Sequence, residues 1–316
     1  MTRQRFALPP SQLRDLSWRL TPAGRRWRRL LASLALDPDR LPRPVTEPGA
    51  GDFIICGAPR TGTTLLTSML WQPPSVVTVM EPWDGLRLAP AALFASLREE
   101  IETTGSLSRG RLDVAALMRE GKVPWTGEHD QRAALNVEAG YRLGVKWPAY
   151  WRYLALLPTT RFLVCLRHPY EVISSFEHAS RRLAGGADYL VPYNRQMNAE
   201  IKASSRDPAV RRVALYDYIN ERILPHLSAP NVLAVRYERW RSESETVREE
   251  IGTFLGVELH QGGARLRQSS GADRLSAPFR HPKPLSHGDW TGLRTRLTSA
   301  RQRAGSRLLG PLSRGA

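Results

Sequence analysis

Residues 53–66 read FIICGAPRTGTTLL: an apolar run of strand length, a turn that contains Gly57 and Gly62, and the start of a helical pattern. A strand that enters a glycine-rich turn before a helix presents backbone N–H groups and the positive end of a helix dipole, which suit phosphate or sulfate. The glycine spacing matches that of an ATP-binding P-loop, but Thr63 stands where a P-loop carries lysine. The cation is Arg60 instead. The turn is therefore expected to hold an anionic group. The charge of Arg60 would approach this group from the side of the turn opposite to that of a P-loop lysine.

The overall charge also favours anionic partners. The chain has 316 residues and a formal net charge of +16, nearly all of it from arginine, because the sequence contains only four lysines. A field of this sign attracts nucleic acid, anionic membranes and polyanionic nucleotides alike. Charge alone therefore does not choose among these partners.

The two cysteines predict a cytoplasmic location, and the apolar runs predict no transmembrane helix. No run approaches the roughly 18 apolar residues typical of a transmembrane helix. The chain has two cysteines, Cys56 and Cys165, and each lies inside an apolar, strand-like run. Buried, reduced thiols are the default in such positions and fit a reducing compartment.

The sequence divides into three predicted parts: a basic amphipathic N-terminal arm and linker (residues 1–50), a central domain (residues 51–290) and a basic C-terminal tail (residues 291–316). A basic amphipathic arm can make peripheral contact with an anionic membrane, or it can dock on its own domain. Both readings stay open at this point.

Strand-like runs alternate with helical patterns through the middle of the chain. Four runs follow the opening strand, at residues 76–80, 143–146, 161–166 and 231–236. This alternation predicts an α/β fold in which a parallel sheet is flanked by helices on both faces. In such sheets ligands bind beyond the carboxyl ends of the strands. Gly57, Lys146, Arg167 and Tyr237 all fall at such ends.

Two motifs resemble those of the sulfotransferases that use 3′-phosphoadenosine 5′-phosphosulfate (PAPS). The segment Pro59-Arg60-Thr61-Gly62-Thr63-Thr64 resembles their 5′-phosphosulfate loop. Arg167 and Ser175, eight residues apart, resemble their 3′-phosphate site. Arginine supplies a forked, permanently charged donor for a phosphate dianion, and a serine hydroxyl adds a short hydrogen bond.

Three looser correspondences extend the resemblance over residues 52–290. Tyr237 stands where the family places a tyrosine near the adenine. Lys283 begins a degenerate match to the C-terminal segment that also contacts the 3′-phosphate, and Lys146 matches a strand-end lysine. The resemblance implies the P-loop-like sulfotransferase fold, PAPS as co-substrate and no metal.

The resemblance also implies the catalytic groups. The cytosolic enzymes use the histidine of a Lys-x-His motif as base, whereas this chain has Pro148 at that position. In the tyrosylprotein and several bacterial branches a glutamate after the second strand takes that role, and Glu81 matches it. Arg60 and Lys146 would stabilise the charge that develops on the bridging oxygen. The fallback bases are His129, His168 and His178.

The acceptor is expected to be a hydroxyl or amine of a small molecule, sugar or lipid. Five aromatic residues could line an acceptor pocket, or could equally pack in the core: Trp83, Trp125, Trp147, Tyr150 and Trp151.

Two other functions compete with sulfuryl transfer. A P-loop kinase using Mg²⁺-ATP is disfavoured because the loop lysine is missing. A basic protein that binds membranes or nucleic acid is the second alternative. Neither basic end interleaves basic residues with base-stacking aromatics, so we expect no nucleic-acid partner.

Overall fold

The computed structural model describes residues 41–86, 88–107, 135–173, 175–176, 195–204 and 208–260. These residues fall into two units. One comprises the described parts of residues 41–168 and 219–295 and holds every described strand. The other comprises the described parts of residues 169–218 and is helical. The N-terminal arm up to residue 40 and the basic C-terminal tail lie outside the described residues.

The larger unit is built on a sheet of five parallel strands, as the sequence predicts. The strands are β1 (Phe53–Gly57), β2 (Val76–Met80), β3 (Arg142–Lys146), β4 (Arg161–Leu166) and β5 (Val232–Arg236). Their spatial order is β2-β3-β1-β4-β5, and all four pairings are parallel. The helices are α1 (Thr63–Met69), α2 (Pro90–Thr104), α3 (Arg195–Ser204), α4 (Pro208–Ile223), α5 (Tyr237–Ser242) and α6 (Ser244–Leu255).

The centre of the sheet is buried on both faces, which is why β1 reads as a continuous apolar run rather than an alternating one. All five of its residues are buried. Phe53 and Ile55 belong to a cluster that includes Leu66 of α1, Trp240 of α5 and Ile251 of α6. On the rest of the sheet, α2 contacts β3, and a 3₁₀ turn at residues 148–153 contacts β1. These contacts confirm the predicted α/β layering.

The strand order reverses its direction beside β1. The connection that leaves β1 leads to β2, on one side of the sheet, whereas the connection that leaves β4 leads to β5, on the other. Ligands of open α/β sheets bind at such a reversal, outside the carboxyl ends of the strands. Gly57 at the end of β1 pairs with Cys165, so Arg167 follows β4 directly beside the glycine-rich turn.

The smaller unit contributes helices only. Residues 169–173 and 175–176 are helical, and α3 follows. Val172, Ile173, Phe176 and Met197 are buried. In the described part of the chain, no helix combines the length and the apolar character needed to cross a membrane.

Candidate active site

The turn between β1 and α1 has a tightly defined backbone. The amide and the hydroxyl of Thr61 both donate to the carbonyl of Ala58, at 3.2 and 2.7 Å. The first hydrogen bond of α1 runs from the amide of Leu66 to the carbonyl of Gly62, at 3.0 Å. The amides of Thr63 and Thr64 precede that bond, so they belong to the N–H groups that a helix start leaves without an intrahelical acceptor.

The backbone conformation at residue 62 and the space around it both require glycine. Its φ of 102° lies in the left-handed region that side chains disfavour. A Cβ at this position would also lie 2.7 Å from Cδ2 of Tyr237. The turn therefore packs directly against the first residue of α5.

Lys146, at the end of β3, reaches two groups from neighbouring elements. Its ammonium forms an ion pair with the carboxylate of Glu81, which follows β2. The same nitrogen donates to the hydroxyl of Thr64 in α1, at 3.2 Å. Only 2% of Lys146 is exposed, and lysine is almost never buried without a partner. The carboxylate of Glu81 therefore accounts for the burial of this charge.

Glu81 has an unusual backbone conformation. Its φ is 46°, one of two positive values among the described non-glycine residues, and the other belongs to Arg60, at 75°. A residue held in this region costs on the order of 1–3 kcal/mol, and such residues cluster at functional sites. The Glu81 amide donates to the carbonyl of Lys146 at 2.8 Å, which fixes the backbone next to the ion pair. The Glu81 side chain remains 27% exposed.

Arg167, which follows β4, contacts the turn that follows β1. One of its guanidinium nitrogens, Nη1, donates to the carbonyl of Arg60 at 3.3 Å. The Cζ atom of Arg167 lies 4.3 Å from the centroid of the Tyr237 ring, a cation–π contact. The ring and the carbonyl place the guanidinium between the glycine-rich turn and the first residue of α5.

His168, the residue after Arg167, also contacts α5. The backbone amide of His168 donates to Oε1 of Glu238 at 2.7 Å. The first two residues of α5, Tyr237 and Glu238, therefore hold the segment that leaves β4. The His168 side chain is exposed, and its role as a fallback base stays a prediction.

The structure brings most of the predicted site residues to one edge of the sheet. Glu81, Lys146, Arg167, Tyr237 and the turn of residues 59–64 all lie at the carboxyl ends of the strands. Ser175 lies in the helical unit, so its role stays a prediction. Lys283, His129, His178 and Trp125 lie outside the described residues.

Sequence reasoning missed two features of this edge. Glu238 has no predicted role, and its bond to the His168 amide joins residues 70 positions apart, which no local pattern reveals. The direct ion pair between Glu81 and Lys146 is the second feature, because the sequence predicts separate roles for the two residues. Their strands are neighbours only in the folded sheet.

The two thiols take no part in this chemistry. Cys56 and Cys165 are both free and buried. Burial raises the pKa of Cys165 to about 12, although the charge of Lys146 acts in the opposite direction. Burial also raises the pKa of Cys56. Both side chains therefore stay protonated. Among the described residues, no group of three or more His, Cys, Asp or Glu side chains is arranged to hold a metal ion.

Comparison with known proteins identifies the family. A model described as "Sulfotransferase family" matches residues 52–261. No curated protein matches the chain. Solved structures with a similar outline include the sulfotransferase domain from the curacin biosynthetic pathway (19% identity, TM-score 0.42, covering 80% of this chain and 99% of that one). The sulfotransferase domain of a Synechococcus olefin synthase is also similar (19% identity, TM-score 0.41, covering 86% and 98%).

A third similar structure is a retinol dehydratase in complex with retinol and PAP, 3′-phosphoadenosine 5′-phosphate (16% identity, TM-score 0.41, covering 92% of this chain and 88% of that one). The family assignment rests on the family match, which spans the sheet and every strand-end residue described above. The chain belongs to the sulfotransferase family and is an enzyme of sulfuryl transfer.

Proposed function

We propose that this enzyme takes its sulfuryl group from PAPS and transfers it to a hydroxyl or amine of a small-molecule, sugar or lipid acceptor. The turn Pro59–Thr64 would surround the 5′-phosphosulfate with backbone N–H groups, and Arg60 would add a positive charge. Arg167 would bind the 3′-phosphate, with Ser175 and Lys283 as further partners. Tyr237, which lies beside both the turn and Arg167, would border the adenine.

One observation carries this proposal: a single buried ammonium contacts both the phosphosulfate turn and the candidate base. Lys146 donates to Thr64 on one side and pairs with Glu81 on the other. A sulfuryl group transferred from the turn to an acceptor beside Glu81 would pass next to this cation. The arrangement therefore suits a reaction in which negative charge develops between those two groups.

The reaction would follow an in-line course. The Glu81 carboxylate accepts the proton of the acceptor hydroxyl, and the acceptor oxygen forms a bond to sulfur. The bond between sulfur and the bridging phosphate oxygen breaks, and its electron pair stays on 3′-phosphoadenosine 5′-phosphate (PAP). Lys146 and Arg60 stabilise the charge on that oxygen more in the transition state than in the ground state. The products are the sulfate ester, PAP and a protonated Glu81.

A thermal-shift titration tests the donor. PAP should raise the melting temperature in the presence of EDTA, because the groups that would hold it are side-chain cations and backbone N–H groups rather than a metal. ATP with Mg²⁺ should raise the melting temperature much less. A larger shift with Mg²⁺-ATP would favour the kinase alternative, and no shift with either nucleotide would contradict nucleotide binding altogether.

The acceptor is best found by direct transfer. The enzyme would be incubated with sulfur-labelled PAPS and a metabolite extract, and sulfated products would be identified by mass spectrometry. A product that depends on Glu81 would support both the reaction and the base. Label that appears only as free sulfate would contradict the proposed acceptor classes.

We also propose a cytoplasmic location, with peripheral membrane contact through the N-terminal arm. The support for the first is that both thiols are free and buried. The second rests on the basic amphipathic sequence of residues 11–36 alone. Cosedimentation of the full chain with anionic vesicles, but not with neutral ones, is the expected result. Equal recovery with both would contradict the membrane contact.

A further inference from the structure

Two buried aromatic side chains hold the turn that follows Glu81. The Trp147 Nε1 donates to the carbonyl of Pro82 at 2.8 Å, and the Tyr150 hydroxyl donates to the carbonyl of Gly85 at 3.0 Å. Each of the two residues is 2% exposed. Their polar atoms are thus directed at the turn carbonyls inside the protein.

A backbone hydrogen bond within the turn adds to the two side-chain contacts. The amide of Gly85 donates to the carbonyl of Pro82 at 2.9 Å, so this carbonyl accepts two hydrogen bonds. Gly85 has no room for a side chain, because a Cβ would lie 2.5 Å from the Tyr150 hydroxyl and 2.6 Å from the Trp147 nitrogen. The two donors are therefore in close contact with the turn backbone along its length.

The contacts of Trp147 and Tyr150 with the turn also affect Glu81, whose backbone is strained. Glu81 has a φ of 46°, and such a conformation persists only where the surrounding structure over-determines it. On one side, the Glu81 amide is held by the carbonyl of Lys146. On the other side, the chain continues directly into the turn that Trp147 and Tyr150 hold. The donors follow Lys146 in sequence, so one segment, residues 146–150, fixes Glu81 from both sides.

We propose that Trp147 and Tyr150 are positioning residues for Glu81. By binding the carbonyls of Pro82 and Gly85 they keep Glu81 in its left-handed conformation, with its carboxylate against Lys146 and facing the acceptor. This inference rests on the proposed role of Glu81 as base. It assigns these two aromatic residues to the geometry of proton transfer rather than to the lining of the acceptor pocket.

The chain offers a matched pair of variants. Tyr150→Phe removes the hydroxyl that binds Gly85 and keeps the ring. Tyr153→Phe removes a buried hydroxyl from the same 3₁₀ turn, and that hydroxyl has no hydrogen-bond partner within the described residues. The two rings contact each other edge to face, with centroids 5.2 Å apart. Both variants delete one oxygen from one buried cluster, and only one of them breaks the contact with the turn.

Hydrogen exchange tests the contact without any reaction. Peptides that cover residues 81–88 should exchange several-fold faster in Tyr150→Phe, and at the wild-type rate in Tyr153→Phe. Trp147→Phe, which removes the other donor, should also accelerate exchange in this segment. Unchanged exchange in both Tyr150→Phe and Trp147→Phe would overturn the inference, whatever the enzyme transfers.

Turnover tests the consequence. Tyr150→Phe should lower kcat by about 2- to 10-fold, the effect expected for one lost hydrogen bond, with the affinity for PAP unchanged. In a Glu81→Gln background the same substitution should have no further effect on kcat, because it acts through Glu81. A purely structural role would give the same loss in both backgrounds and would overturn the inference.

The two proposals fail in different ways. If Glu81→Gln slows turnover but Tyr150→Phe does not, the positioning role is wrong and the proposed function stands. If exchange responds as expected but Glu81→Gln leaves turnover unchanged, the base assignment is wrong, and the positioning role falls with it.

Discussion

Two groups at the carboxyl edge of the sheet differ in the contacts of their cations. The first, the lysine corner, consists of Glu81, Lys146 and Thr64. The second, the arginine corner, consists of Arg167, Tyr237 and the carbonyl of Arg60. In the lysine corner the cation is buried and meets a carboxylate directly. In the arginine corner the cation rests on an aromatic ring and donates to a neutral carbonyl.

The difference corresponds to two different tasks. A buried ammonium paired with a carboxylate has little net charge to offer a ligand, but it responds when the carboxylate takes up a proton. An arginine guanidinium stays charged at physiological pH and carries its donors in a planar fork that matches a phosphate, and an aromatic face can support it. The lysine corner is therefore suited to bond making, and the arginine corner to holding a phosphate dianion. Substitutions in one corner should therefore change turnover or nucleotide affinity separately from substitutions in the other.

Glu81→Gln should give the largest effect. The amide keeps the shape and the hydrogen-bond acceptor but cannot accept the proton of the acceptor, so kcat should fall by about 10²- to 10⁴-fold. The dissociation constant for PAP should stay within about twofold of the wild-type value, because the arginine corner is intact. Steady-state kinetics with labelled PAPS, together with calorimetric titration of PAP, would measure both.

Asp84→Asn is the matched control for Glu81→Gln. It removes one carboxylate from the 3₁₀ turn that begins two residues after Glu81, and this carboxylate is no partner of Lys146 in the described structure. Its kcat should be close to wild type. Equal losses in the two variants would show that turnover responds to the general loss of negative charge near the turn, and would remove Glu81 as the base.

Tyr237→Leu should give a moderate effect in the opposite corner. Loss of the ring under Arg167 should weaken PAP binding by about 2- to 10-fold, as expected for one cation–π contact. Tyr237→Phe, which keeps the ring face, should bind PAP like wild type. Both variants should have nearly normal kcat at saturating PAPS. An affinity loss in Tyr237→Phe as large as in Tyr237→Leu would show that the hydroxyl, rather than the ring, supports binding.

Alkylation of the thiols should show the smallest response. The thiolate is the reactive form, and burial raises the pKa of Cys165 to about 12 and that of Cys56 above its usual range. At mildly alkaline pH, native protein should therefore gain almost no iodoacetamide adduct at either position, whereas denatured protein should gain both. Mass spectrometry of the intact protein would count the adducts. Rapid modification of the native protein would contradict the burial of these two strands.

Local patterns were enough to predict much of the fold and the arginine corner. Each strand is a separate apolar run, and Arg167 is recognisable because a cation directly follows such a run. The parallel arrangement follows from the alternation of strands with helices. These features are readable because the residues that determine them are close together in the sequence.

The lysine corner depended on information that the sequence does not carry locally. Glu81 and Lys146 are 65 residues apart, and they meet because β2 pairs with β3 rather than with β1. Strand order is set by tertiary packing, so the ion pair could not be read from either motif. Trp147 and Tyr150 were ambiguous for the same reason: an aromatic residue after a strand suits a core or a pocket equally well until its neighbours are known.

The most direct test of the account compares two nucleotides in two proteins. PAP and adenosine 5′-phosphate differ by the 3′-phosphate, which we assign to Arg167. Calorimetric titration without Mg²⁺ should show that the wild-type enzyme binds PAP about 10- to 100-fold more tightly than adenosine 5′-phosphate, the range expected for charge-assisted hydrogen bonds.

In Arg167→Ala this preference should nearly disappear, while the affinity for adenosine 5′-phosphate changes little. Arg161→Ala, at the opposite end of β4, should keep the full preference, because its guanidinium donates to the carbonyl of Leu255 far from the turn. A preference for PAP that survives in Arg167→Ala would contradict the account.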